Sequence, residues 1–182
     1  MRNNPLGAWI RAVAPAVIWL LLRQAGRGLP PGAEIGLEAA LAAAAGFLLV
    51  RENGRSAFRR PGREALPYLG IGILMAAAGR ICLGRPADPE RTGIAFLQIC
   101  VIGPAAEEIL YRGLAGEGLR RLLPEAGAAI VSSLLFAAAH GTPARMLCAF
   151  AAGLLFYRAF RKTGSLWVPL LMHMILNGAA FF

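Results

Sequence analysis

An all-α, polytopic transmembrane bundle of about seven helices is the fold class this sequence predicts, on three observations. The 182 residues are 57% hydrophobic with a mean hydropathy of +0.57, above what a soluble domain carries. Only 16% of them are charged, and these gather in short clusters between apolar stretches of roughly 15 to 20 residues, the length that crosses a hydrocarbon core as helix. No stretch alternates as a barrel strand would, and a lipid-exposed backbone must satisfy its own hydrogen bonds, so helices are the natural form.

Taken in order, the first span covers about residues 9–22. Arg2 precedes it as in a secretory signal, but Arg23 and Arg27 stand where a small-residue cleavage site belongs, so the segment is expected to be retained. The second, 35–50, is rich in alanine and carries Glu38. The third runs over 66–83, and the fourth from 92 into the pair Glu107-Glu108 and beyond. The fifth, sixth and seventh cover 127–140, 145–160 and 166 to the C-terminus. Gly/Pro punctuation at 26–32, 61–62, 84–89 and 141–143 marks loops rather than a domain boundary, and no internal repeat is evident. One membrane domain, 1–182, results.

The net charge of +9 and a pI near 10.9 invite a nucleic-acid reading. The basic residues lie between the apolar runs, however, with no basic face, aromatic interleaving or recognisable binding module, so no nucleic-acid partner is expected. Seven crossings put alternate loops on opposite sides. Twelve basic residues fall on the N-terminal side (Arg2, Arg51, Arg55, Arg59, Arg60, Arg63, Arg112, Arg120, Arg121, Arg158, Arg161, Lys162) and six on the other (Arg23, Arg27, Arg80, Arg85, Arg91, Arg145). The positive-inside rule therefore predicts a cytoplasmic N-terminus. The cluster "RENGRSAFRRPGRE" dominates that count and reads as a solvated loop against anionic headgroups. Eighteen arginines against one lysine suggest a GC-rich bacterial genome, hence a bacterial cytoplasmic membrane. Cys82, Cys100 and Cys148 show no CxxC spacing, so neither a disulfide framework nor a metal knuckle is indicated.

Ionisable residues inside spans cost at least a few kcal/mol to bury and are functional candidates. In "GPAAEEILYRG" Glu108 and Arg112 stand four apart on one helical face, acid first, the better orientation for an ion pair. Glu107 points about 100° away, has no basic partner at helical spacing, and fits a proton-handling role. The two histidines of the chain both fall in apolar spans. "FAAAH" sets Phe136 one turn before His140, and "HMILN" sets His173 one turn before Asn177. The second pair can form a hole for a developing oxyanion or a plain interhelical clasp. With about 1.5 Å of rise per residue, Glu107, His140 and His173 all fall in the middle half of the bilayer and can share one cavity.

These elements, Glu-Glu-x-x-x-Arg, then Phe-x-x-x-His, then His-x-x-x-Asn, resemble in order and spacing the CPBP family of intramembrane proteases. That family, also called Abi, includes the CAAX prenyl endopeptidases or Ras-converting enzymes. The resemblance covers roughly residues 92–182, a catalytic core preceded by N-terminal helices in 1–91. It implies a peptide-bond hydrolase acting inside a helix bundle. Glu107 would be the general base and His140 would help orient and activate water. His173 and Asn177 would stabilise the oxyanion, with Glu108, Arg112 and Phe136 supporting the site. No cofactor is implied; the mechanistic alternative is zinc held by Glu107, His140 and His173 with water in the fourth position, although no HExxH helix is present. The prenyl endopeptidases carry a further helix after the third motif, whereas this sequence stops at Phe182, which implies a cavity open laterally or closed by a partner. The oligomeric state stays open.

The expected substrate is a membrane protein or a lipid-anchored peptide, cut near its C-terminus in the bilayer. A bacterial origin argues against prenylated substrates, and small bacterial relatives include proteases dedicated to removing C-terminal sorting helices. Two other classes compete. A non-catalytic peptide-binding or immunity protein could keep the fold without cleaving, and a proton-coupled transporter would also bury Glu and His, although no repeat or broken-helix pair is evident.

Overall fold

Each apolar run folds as helix. The computed structural model describes residues 5–26, 29–83 and 92–182. Among them seven helices follow one another: α1 Pro5–Gly26, α2 Pro31–Asn53, α3 Leu66–Leu83, α4 Gly93–Arg120, α5 Glu125–His140, α6 Pro143–Thr163 and α7 Trp167–Phe181. No strand occurs among the described residues. Each helix coincides with one expected span: α1, α2, α5 and α6 overrun theirs by a few residues, α3 agrees in its limits, α4 starts one residue later and runs past the acidic pair, and α7 falls one residue short at each end. Arg2, Arg27, Arg85 and Arg91 of the charge count, and all of the 84–89 punctuation, lie outside the described residues.

The helices are apolar on both sides, as lipid requires. Leu6, Ile10, Ile18 and Leu21 of α1, Phe47 of α2, and Ile73 and Leu74 of α3 are exposed. Inward, Ala12, Ala16 and Trp19 of α1 are buried at i, i+4 and i+7, the one-face spacing of a packed helix. α1, α2 and α4 are each long and apolar enough to cross a membrane. α5 is shorter and ends in a 3-10 turn, Ala138–His140. His140 thus sits at the end of its helix, and with 16 residues spanning about 24 Å that end stays within a hydrocarbon core of about 30 Å.

Small residues bring the backbones together, as lipid-embedded helices require in the absence of a hydrophobic force between them. A Cβ at Gly118 of α4 would stand 2.8 Å from the Cβ of Ala12 and 3.0 Å from its Cα, so only glycine lets α1 approach there. α3 packs along α7, and α5 along α6.

One end of the bundle is tied by charge. Arg161 of α6 bonds Glu117 of α4 at 2.7 Å and Glu125 of α5 at 3.2 Å. The basic segment after α2 forms two 3-10 turns, Gly54–Phe58 and Arg63–Ala65. Its arginines are exposed, as expected of a solvated segment, yet the turns dock rather than float. Leu166 N–H donates to Ala57 O at 2.8 Å, Trp167 Nε1 to Phe58 O at 3.1 Å, and Ser165 Oγ to Arg59 O at 2.7 Å. Arg59 Nε donates to Thr163 O at 3.0 Å, where α6 stops at Gly164 in the left-handed region, φ 60°. At the other end Arg80 Nη1 donates to Ala179 O at 2.8 Å, which settles its role as a cap for α7, and Phe96 packs edge-on against Phe181.

Candidate active site

Proline shapes the entry to the acidic pair. Pro104 has no N–H and crowds the preceding turn, and α4 widens to π form over Gln98–Ile102, with Gly103 N–H reaching back to Gln98 O. The next acceptor in that pattern, Ile99 O, loses its donor because residue 104 is proline. Asn177 Nδ2 of α7 fills the gap at 2.8 Å. A second π segment, Ile109–Gly116, follows the pair directly, and Ser132 Oγ of α5 donates to Tyr111 O there at 2.6 Å. Such widenings re-aim side chains and concentrate at functional sites.

Glu108 and Arg112 pair at 3.1 Å, both at most 1% exposed, so the i, i+4 spacing does what its chemistry predicts. Arg112 also points Nη2 at Gly153 O, 3.4 Å away. Its guanidinium lies 4.3 Å from the Phe136 ring centre and 5.2 Å from that of Phe156, a cation–π arrangement that helps hold a desolvated charge. Phe136 thus packs against the Arg112 guanidinium. Its ring also touches His140 edge-on at 4.6 Å and His173 at 5.5 Å.

His173 sits between the two acids. Nδ1 is 2.9 Å from Glu108 Oε1, and Nε2 is 3.7 Å from Glu107 Oε2. The ring stacks on Phe156 at 5.2 Å, which fixes its plane.

Glu107, at the middle of α4 and 4% exposed, is not unpaired, which corrects the expectation drawn from helical spacing. Arg23 of α1 donates through Nη1 to Glu107 Oε1 at 2.6 Å, and its Nε lies 3.2 Å from Glu38 Oε1 of α2. Arg23 is thus no loop residue: it occupies the last turn of α1 and turns inward to two buried acids. Arg112, counted above with a loop, is likewise fully buried in α4. Removing one arginine from each side leaves the charge bias intact.

The structure therefore brings together Glu107, Glu108, Arg112, Phe136 and His173. His140 stands at the edge, half-buried, with Nδ1 2.9 Å from Phe136 O and within electrostatic range of Glu107. Asn177, one turn beyond His173 on α7, gives one of its two amide N–H groups to Ile99 O. Among the described residues no group of three or more His, Cys, Asp or Glu is arranged to hold a metal ion.

Arg23 and Glu38 were missed as site residues, although a signal existed. α1 and α2 form a hairpin, and residues 23 and 38 lie about 5 Å and about 10 Å from its ends at 1.5 Å per residue, close enough in depth for opposite charges to meet. Beside the cluster an apolar cavity of about 410 Å³ runs between α4 and α7. Val101, Ala105, Leu170, Leu171 and Met174 line it, and Glu108 is its one acidic wall residue.

Comparison with known proteins follows from this geometry. A Bacillus subtilis (strain 168) protein named "Putative membrane peptidase YdiL" is 29% identical over 77 residues, 42% of this chain. The chain spans about a third, 32%, of the length of that curated relative. No solved structure matches. The model of the type II CAAX prenyl endopeptidase Rce1-like family matches residues 89–179, half of the sequence and all three motifs, and the chain belongs to that family.

Proposed function

We propose that this multi-pass membrane protein is an intramembrane endopeptidase in which Glu107 activates water. The observation that supports it best is the convergence of α1, α2, α4 and α7 on one buried carboxylate. Glu107 has one oxygen held by Arg23 and the other facing His173 Nε2. As water attacks the peptide carbonyl, Glu107 Oε2 takes its proton, with His140 orienting the water from the edge of the site. His173, carrying a proton on each ring nitrogen between the two carboxylates, donates from Nδ1 to Glu108 and from Nε2 to the tetrahedral oxyanion, which it stabilises. The proton then passes to the amine nitrogen as the C–N bond breaks. Asn177 holds α7 to the π-widened turn through one amide N–H, and its second N–H joins the oxyanion donors.

A metal-free mechanism is part of this proposal. The positive guanidinium of Arg23, bonded to Glu107 Oε1, favours it over zinc. The apolar cavity beside Glu108 suits a membrane-borne segment of a protein or lipid-anchored peptide, cut near its C-terminus. The surplus of arginine at the end carrying Arg60 and Arg161 supports an N-terminus in the cytoplasm of a bacterial cell; a cysteine placed at position 145 is then expected to label from outside and one at position 60 is not.

The test is mass spectrometry of the termini of membrane proteins from cells expressing the wild type or Glu107→Gln. New termini are expected with the wild type alone, and their yield in isolated membranes should survive a zinc chelator. Identical termini in both strains would point to peptide binding without cleavage. A loss of cleavage with chelator, restored by zinc, would sink the metal-free chemistry.

A further inference from the structure

The family match begins at residue 89, which leaves the first three helices, α1 and α2 among them, with no assigned part in the chemistry. We infer that Arg23 is a positioning residue for Glu107 and that Glu38 aims it, so that α1 and α2 complete the reactive centre. This rests on Glu107 being the base.

Three features carry the inference. Guanidinium is a planar fork, and here its two arms are divided between two acids on different helices: Nη1 to Glu107 at 2.6 Å and Nε to Glu38 at 3.2 Å. Glu38 is 2% exposed and Glu107 4%, and a carboxylate is not left in such places without a partner. The bond is also selective between the oxygens of Glu107. With Oε1 held by Arg23, Oε2 is the oxygen turned to His173. Rotation of the carboxylate about its last bond would exchange the two, and Arg23 opposes that rotation. Lysine cannot reproduce the arrangement, because an ammonium is a point charge and not a fork.

Arg23 touches no reacting atom in this scheme. It acts through Glu107, so its loss should disturb turnover more than substrate binding. The groups facing it are Glu38 from α2 and Glu107 from α4, with the Tyr111 hydroxyl also within electrostatic range.

The experiment uses the full chain in detergent micelles and, as probe, a fluorogenic form of the peptide cut most abundantly in the termini experiment. Arg23→Gln is expected to lower kcat roughly 10- to 100-fold, as for a misplaced catalytic group, with KM changed less than about 3-fold. Arg23→Lys should recover part of that loss, and Glu38→Gln, which replaces the charge facing Nε by a neutral amide, should lower kcat by a smaller factor, roughly 3- to 10-fold, both on the same positioning logic. Thermal unfolding and active-site titration accompany each variant; should Arg23→Gln not fold, Arg23→Lys is read alone, with reduced kcat at unchanged KM as the expected result. An unchanged kcat per active site in the Arg23 variants, or an equal loss in Glu38→Gln and Arg23→Gln, overturns the positioning role. Glu107→Gln is run beside them: if it cleaves at the wild-type rate, the base assignment itself fails, whatever the Arg23 variants do.

Discussion

Purified Glu107→Gln protein is expected to retain its helices and its unfolding temperature within a few degrees while losing cleavage by roughly 10²- to 10⁴-fold, the range in which a positioned general base contributes. Glutamine keeps the shape of the side chain and an oxygen for Arg23. It cannot take a proton from water. Steady-state kinetics with the terminus-derived peptide check the rate, and scanning fluorimetry checks the fold. His173→Gln should fall in a similar range by removing an oxyanion donor, worth roughly 10²- to 10³-fold in well-formed sites. A Glu107→Gln protein that unfolds at much lower temperature would show instead that the carboxylate is needed for packing.

The largest expected effect on stability belongs to the other acid. Arg112 and Glu108 form a pair that is almost wholly desolvated, and Arg112→Met should cost about 3–5 kcal/mol, because it leaves Glu108 buried beside nothing but His173. The double variant Glu108→Gln/Arg112→Met removes both charges and should regain much of that loss, since a buried pair contributes little beyond its apolar replacement. Unfolding in detergent, followed by tryptophan fluorescence, measures both. Equal destabilisation in the single and double variants would mean that Arg112 acts through Phe136 and Phe156 rather than through the acid.

These two acids mark how far the sequence could be read. The seven helices were legible because span length and the spacing of charge clusters are one-dimensional quantities, and they hold for α1 through α7. The Glu108–Arg112 pair was legible because both partners lie on one turn of one helix. The partner of Glu107 was not. Arg23 is 84 residues away, and an arginine three residues from a helix end looks like an interfacial anchor until the packing of α1 on α4, through Ala12 and Gly118, is known. The bond from Asn177 to Ile99 was hidden for a related reason. The spacing in His-x-x-x-Asn places both side chains on one face of α7, but where the amide donates is decided by a carbonyl on α4 that Pro104 leaves without a partner. Phe136 and His140 follow the same logic, with neighbouring rings set by their own helix and the Arg112 contact set by another.

Single-turnover hydrolysis in ¹⁸O-labelled water, with enzyme in excess over the peptide, tests most directly whether Glu107 works as a base on water. The label should appear in the new carboxyl terminus of the peptide fragment and be absent from the Glu107 side chain when the protein is digested and weighed. Label recovered in the Glu107 carboxylate would mean that this acid had attacked the peptide itself and formed an acyl intermediate, which contradicts water activation at this site.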